Sequence, residues 1–465
     1  MFSKLVLIFI LLAPLTSFSS WNGARSIFEQ RSHSTQKKGI IKELIAGGYY
    51  FSALPLMKEY LISETRNLDS QMEAALSKLI TAVGVKQFET LPYKYLIRSK
   101  SNNIRYVIAK KYMRDSNYNK ALLYLNKIPS WHVIYPFAKN MEATIYSIQG
   151  HFNKAMTSFN ICKKSSRKKF LSGKNTRRNK LNRDSCIAGK ARTMFAAKKY
   201  TTSDLLYLDI PKSSPVWPEI LFEEAWNSYY LGNYNRSLGK LVSYKSPVFE
   251  SFFNPEVDVL TALSYLKLCL YQDAKKISND FYKDYLKSTR ALRTFLKRNK
   301  TRYSVYYDLL ISFERLGAGR TKLMTTLLKG IEKEETFKDL KRQFSKAADE
   351  LNRIRAKESS KFKRRMVRNT QESISSQKKI LGAHTRARLV SYYAKLYRAF
   401  EGMSYIKLEV LAQRKAKLYS LDESNRERGD IKYIQRNEKQ YFWNFNGEFW
   451  ADELGDYVFA LRSEC

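Results

Sequence analysis

The side chains able to do chemistry are few and scattered. Four histidines, His33, His132, His151 and His384, stand far apart, and none has a metal-ligand neighbour at a usable spacing. Carboxylates do pair, as Glu223-Glu224 and as Glu448 with Asp452 and Glu453, the residue types that glycosidic acid–base chemistry needs. Their sequence contexts fit helix surfaces and caps better than a cleft. No phosphate-cradling Gly-x4-Gly-Lys-Ser/Thr loop, His-Glu-x2-His pair or Gly-x-Ser-x-Gly elbow occurs. The expectation is a protein that is not an enzyme and holds no cofactor or metal.

Composition points to binding instead. Lys and Arg number 83 against 43 Asp and Glu, a formal charge of +40, and 14% of the residues are aromatic. The N-terminus carries Lys4, the apolar run Leu5-Val-Leu-Ile-Phe-Ile-Leu-Leu-Ala13 and small residues at Ser17 and Ser19. This pattern predicts a secretory signal peptide over residues 1–19, cleaved after Ser19. No later segment has 18 uninterrupted apolar residues, so no transmembrane span is expected after cleavage. A periplasmic or secreted protein of this charge meets anionic lipid head groups, acidic glycans or acidic proteins rather than nucleic acid. In such a compartment Cys162, Cys186, Cys269 and Cys465 tend to pair, and four cysteines allow three complete pairings.

The elements that must position a binding surface show as a repeat. Ala109-x2-Tyr112-x5-Tyr118-x2-Ala121-x3-Leu125 returns 34 residues later as Ala143-x2-Tyr146-x5-Phe152-x2-Ala155-x3-Phe159. After a 14-residue insertion it returns at Ala191, Met194, Tyr200, Ser203 and Tyr207. It returns again at Ala225, Ser228, Tyr234, Ser237 and Leu241, then, three residues late, at Ala262, Tyr265, Tyr271, Ala274 and Ser278. Gly48-Tyr49-Tyr50-x2-Ala53 reads as a degenerate copy or a capping helix. A small residue on one helix lets its partner approach, and the aromatic beside the turn fills the wedge between them.

This spacing resembles the tetratricopeptide repeat, a stack of antiparallel helix pairs. The resemblance implies a concave groove lined by the first helix of each pair. At the family's groove positions stand Tyr106, Lys110 and Met113; Phe137, Asn140 and Thr144; Arg192 and Phe195; and Phe222, Trp226 and Tyr229. They mix aromatic anchors with few charges, as a groove for a peptide or partner helix would. The carboxylate clamp of the chaperone-adaptor members does not carry over, because Tyr106 stands where that set wants Lys.

The insertion, residues 163–183, carries Lys163, Lys164, Arg167, Lys168, Lys169, Lys174, Arg177, Arg178, Lys180 and Arg183, with no acid before Asp184. It reads as a basic loop facing an anionic surface, bracketed by Cys162 and Cys186. In a regular array those two positions lie on adjacent helices, so a bridge between them is reasonable. Elimination then pairs Cys269 with Cys465.

Beyond the repeats the helices lengthen, and all ten prolines lie at or before Pro255. Phe337, Leu340, Phe344, Ala347, Leu351 and Ile354 form a seam with steps of three and four, as in a coiled coil or long hairpin. Leu389, Tyr393, Leu396, Phe400 and Met403 suggest the return helix, with Gly382 near the turn. The close, Trp443-x-Phe445-x-Gly447-Glu448-Phe449-Trp450-x-Asp452-Glu453-Leu454-Gly455-x-Tyr457, is too apolar for a free tail and is expected to fold back onto the helical domain as a cap. With its terminal Ser463-Glu464-Cys465 it resembles the C-terminus of exported tetratricopeptide proteins of gliding and predatory bacteria, some of them tied to envelope-spanning motility machinery. Soluble lytic transglycosylases also join a helical superhelix to a catalytic domain, around a Glu-Ser motif. Here Glu358-Ser359 and Glu372-Ser373 sit in polar helical sequence without that context.

Together these features predict an all-α chain. A tetratricopeptide-like solenoid covers 35–285, a long-helix, coiled-coil-like hairpin domain 286–435, and an aromatic cap 436–465. The expected function is a scaffold for protein–protein interaction in a bacterial envelope complex. The alternative is a periplasmic protein that binds or cleaves cell-wall glycan.

Overall fold

The computed structural model describes residues 16–30, 35–167, 177–315, 321–417, 431 and 434–465. The expected signal segment up to residue 15 lies outside them, and the expected cleavage point falls inside the helix Thr16–Glu29. Among the described residues the fold is all-α apart from a two-residue parallel pairing near the C-terminus. The chain divides into two compact units, Met1–Lys127 with Asp339–Ile380, and Ile128–Lys338 with Leu381–Cys465.

Helical hairpins recur at the register the sequence sets. The first unit holds Thr35–Ala46 with Tyr50–Ser63, and Asn102–Arg114 with Tyr118–Leu125. The second holds Tyr135–Ile148 with Phe152–Ser165, Arg177–Ala196 with Tyr200–Tyr207, Trp217–Tyr230 with Tyr234–Val242, and Glu256–Lys267 with Tyr271–Arg298. Ala109, Ala143, Ala191, Ala225 and Ala262 have no exposed surface, and neither do Ala121, Ala155, Ser203, Ser237 and Ala274. Small side chains at these crossings let the two helices of a hairpin meet.

The six turns share one backbone device. Two residues before each wedge aromatic the chain is left-handed: Gly48, Ser116, Gly150, Lys198, Gly232 and Cys269 have φ between +56° and +77°. The next amide then bonds back five residues, as from His151 to Tyr146 O (2.9 Å) and from Lys199 to Met194 O (2.9 Å). This is the Schellman end of a helix, which occupies carbonyls the helix leaves open. Glycine suits that position because it lacks a Cβ; Ser116, Lys198 and Cys269 adopt it nonetheless.

In the first unit the packed seam includes Ala347, Ile354, Phe362 and Met366, which share one core with Ile41, Leu44, Leu54, Met57 and Leu61 of the hairpin helices. In the second, Ala399, Met403, Ile406 and Val410 pack on Val259, Ala262, Ala274 and Phe281. These residues of the long helices are therefore covered by repeat helices. Gly382 is not at a turn. It lies inside the 57-residue helix Lys361–Lys417, and the reversal falls at 356–360. A Cβ at Gly382 would stand 1.9 Å from the Tyr303 carbonyl oxygen, so the glycine permits a close crossing. Glu358-Ser359, expected within a helix, occupies that reversal.

Pro55 sits inside the helix Tyr50–Ser63 and cannot donate to the carbonyl of Phe51 four residues earlier. The Ser373 hydroxyl donates to that carbonyl instead, at 2.6 Å, and the Asn369 amide donates to the Ser52 carbonyl at 3.2 Å. Ser373→Ala is expected to cost about 1–3 kcal/mol by leaving a buried carbonyl bare. With Pro55→Ala in the background a helical N–H returns, and the cost should drop to well under about 1 kcal/mol in a urea-denaturation double-mutant cycle. Equal costs in both backgrounds would remove this account.

The aromatic segment packs on the repeat helices of the second unit, not on the long-helix region. Tyr457 and Leu454 join the core of Ile187, Tyr207, Trp217 and Leu221. Asn235 bonds both backbone groups of Leu461, accepting from its N–H (3.1 Å) and donating to its carbonyl (3.0 Å). Cys269–Cys465 (Cα–Cα 5.2 Å) pins the end, and Cys162–Cys186 (6.2 Å) joins adjacent helices, the two pairings expected from sequence. Full pairing of the cysteines fits an oxidising compartment. Among the described residues no helix is long and apolar enough to cross a membrane.

Candidate partner-binding site

Two neighbouring first helices, Arg177–Ala196 and Trp217–Tyr230, carry the site. Arg192 and Phe195 lie almost one turn apart on the first; Glu223, Trp226 and Tyr230 follow at steps of three and four on the second, so each set shares a face. With Tyr207 they line a pocket of about 300 Å3. Its rings contact one another: Tyr230 stacks on Tyr200 (5.1 Å, 8°) and Trp226 (5.8 Å), and meets Phe195 edge-on (5.5 Å). Tyr230 remains 52% exposed, so the cluster opens to solvent.

A charge pair forms one side of it. Arg192 donates through Nε and Nη2 to the Glu223 carboxylate at 2.7–2.9 Å, and Glu219 lies 3.6 Å from the guanidinium. The Tyr207 hydroxyl donates to Glu223 at 3.2 Å. Burial pushes the Glu223 carboxyl up from its ordinary pKa while Arg192 pulls it back. Burial works against the Arg192 charge, but Glu223 and Glu219 hold its pKa above the usual value. Burial and the Glu223 charge together push the Tyr207 phenol up, so it stays a donor. The arrangement can bind an apolar or aromatic group against flat π faces beside a fixed pair of charges.

The other groove candidates do not converge here. Phe222 is buried against Leu241 and Leu260, and Tyr229 packs edge-on against Trp226 (5.6 Å) and Tyr234 (5.4 Å). Phe137 is half-buried; the Asn140 amide donates to Asn182 (2.9 Å) and the Thr144 hydroxyl to the Asn140 carbonyl. Tyr106, Lys110 and Met113 belong to the first unit, where Lys110 pairs with Glu89 at 2.6 Å. Glu223-Glu224 is no helix-surface pair. Glu224 is 4% exposed and bonded to buried Lys240 at 2.7 Å, beside a second buried pair, Asp204 with Arg236 at 3.3 Å. Sequence reasoning missed Tyr230, although it stands four residues after Trp226, the helical-face spacing that would have found it.

The basic insertion is shorter than expected. Lys163 and Lys164 end the helix Phe152–Ser165, and Arg177 begins the next helix. Lys164, Arg167 and Lys180 are exposed, Lys163 is 3.7 Å from Asp209, and Arg183 is partly buried with its Nε enclosed. Lys168, Lys169 and Lys174 lie outside the described residues, as do the side chains of Arg177 and Arg178. His33 is outside them as well. His132 is half-buried, with its pKa pushed down by burial, and His384 meets Glu334 at 3.2 Å. Among the described residues no group of three or more His, Cys, Asp or Glu is placed to hold a metal ion. Glu448 is exposed on the aromatic segment.

No protein-family model matches the chain, and no curated protein matches it either.

Proposed function

We propose that this chain is an exported tetratricopeptide-type scaffold that holds a protein partner in a bacterial envelope complex. The observation that carries the reading is the solvent-open aromatic pocket on two adjacent first helices, where such scaffolds present their grooves. The hairpin register at 34 residues and the paired cysteines support it, as does the C-terminal likeness to envelope proteins of gliding and predatory bacteria, which favours motility machinery as the setting. Exposed Lys164, Arg167 and Lys180 orient the scaffold on an anionic surface or an acidic partner.

Aromatic anchors at the centre of a pocket dominate such interfaces, each costing about 2–4 kcal/mol on truncation. Trp226→Ala with Tyr230→Ala should therefore remove one discrete partner from an envelope crosslinking pull-down while the far-ultraviolet circular dichroism is kept. A second reading, binding of cell-wall glycan, is favoured by the exposure of Tyr441, Trp443 and Trp450 on the aromatic segment. An unchanged protein profile in the double variant, with retention on purified wall polymer lost in Trp450→Ala, would replace the first reading by the second.

A further inference from the structure

A second cavity, of about 220 Å3, lies between the fourth and fifth hairpins of the repeat series counted from Asn102. Its walls are aromatic: Phe252, Phe253, Tyr265, Tyr285 and, from the C-terminal segment, Phe459. Asp258, in the first turn of the helix Glu256–Lys267, lines it. Neither the Asp258 carboxylate nor the Tyr285 hydroxyl makes a hydrogen bond to any described residue. A half-buried carboxylate in an aromatic enclosure with no donor of its own lacks what such a group needs. The charges that bear on it are Lys245, exposed at the rim, and Asp280 and Asp284 on the helix Tyr271–Arg298. Three acids against one base make this place anionic in a chain whose formal charge is +40.

We propose that this cavity binds a small organic ammonium, its charge on Asp258, its N–H groups shared with the Tyr285 hydroxyl, and its stem between the aromatic rings. Ring faces attract cations as well as apolar stems, so one enclosure serves both ends of such a molecule. The volume suits a phenyl or short alkyl amine and is too small for a folded segment. Phe459 makes the site depend on a docked C-terminal segment. The pocket of the proposed partner site shares none of these residues.

Burial, with Asp284 and Asp280 adding to it and Lys245 opposing, pushes the Asp258 carboxyl up to about 6. The cation-binding form is therefore present above that value and lost as pH falls through it. Calorimetric titration of the full-length, disulfide-intact protein with phenethylammonium should show binding at about pH 7.5, weakened about tenfold at about pH 5. The neutral 3-phenylpropanol should bind at least about tenfold more weakly. Asp258→Asn, which removes a poorly solvated charge and should fold readily, should lose the amine about tenfold or more. Asp284→Asn, exposed and outside the cavity wall, should change it less than about threefold. No heat of binding up to about 10 mM amine, equal affinity for the alcohol, or an Asp258→Asn variant that binds as the parent does would each overturn the proposal.

Discussion

Glu350→Ala is expected to lower the stability of the first unit by about 3–5 kcal/mol, the scale of a buried charge–dipole link cut on one side. The Glu350 carboxylate is 1% exposed and accepts from the amides of Phe51 (3.0 Å) and Ser52 (2.7 Å) and from the Ser52 hydroxyl (2.9 Å). Those amides open the helix Tyr50–Ser63, whose N-cap Tyr49 makes no side-chain cap bond. A helix N-terminus presents donors with no partner in the helix, and a carboxylate there also meets the positive end of the dipole. Glu350 thus supplies the cap from nearly 300 residues away in sequence, and alanine would leave both amides bare in the core. Burial pushes the Glu350 carboxyl above its ordinary pKa, with the three donors pulling it back. The unfolded chain then releases this proton first as pH rises. The group's contribution is therefore greatest below the unfolded pKa and declines as pH climbs through the folded one. Acid should therefore not lower the unit's stability through this group. Glu350→Gln keeps one acceptor but turns an N–H2 toward a donor, so it should cost less than alanine and more than nothing. Urea midpoints and hydrogen exchange at the Phe51 and Ser52 amides give the test. An alanine variant of parental stability, with both amides protected, would show that the cap does no such thing.

That cap marks where sequence legibility ends. The hairpins were legible because each repeats one local solution, a small residue at the crossing and an aromatic after the turn; the left-handed residue two before it shows in the sequence only where it is glycine, at Gly48, Gly150 and Gly232. Such signals lie within about ten residues of one another and return every 34. Even Gly48-Tyr49-Tyr50, the weakest copy, keeps the turn at φ +74°. The polar contacts of Glu350, Asn369 and Ser373 with residues 51 and 52 have no period and no local partner. Their one trace is Pro55, a residue that must leave a carbonyl unpaired somewhere. Gly382 was misread because a glycine that permits a close crossing looks like one that ends a helix. Glu224 and Glu223 were misread for a related reason. Acids on a helix usually face water, and the bases that bury them, Lys240 and Arg192, stand 16 and 31 residues away in other helices. Of the candidate site, Arg192, Phe195 and Trp226 were legible as positions on a repeated helix face. The pairing that makes them a pocket was not, since it depends on which side chains of two helices meet.

Gly239→Ala is expected to dislodge the aromatic C-terminal segment, at about 2–4 kcal/mol from overpacking and the hydrogen bonds lost with it. A Cβ at Gly239 would stand 1.6 Å from the Tyr457 carbonyl oxygen and 2.7 Å from the Val458 nitrogen. Both are backbone atoms, so no rotamer change relieves the clash and the strand itself must move. It is held there by its pairing with Trp443 and Asn444, by the Gly455 amide on the Ser243 hydroxyl (3.0 Å), and by the Asn235 bonds to Leu461. A shift of about 2 Å, enough to restore van der Waals distance, breaks bonds of this geometry. Cys269–Cys465 keeps the end tethered, so in oxidised protein the segment should loosen without leaving. Proteolysis should then cut between Trp443 and Leu461 while the helices stay intact, and reduction should speed that cleavage further. The ammonium cavity would lose its Phe459 wall in the same variant, whereas the Arg192–Trp226 pocket takes no residue from the segment and should keep its partner. Loss of both sites together in Gly239→Ala would mean that the segment holds up the whole second unit; loss of neither, with parental protease resistance, would mean that the docked segment accommodates a Cβ at Gly239 and that this approach does not hold it in place.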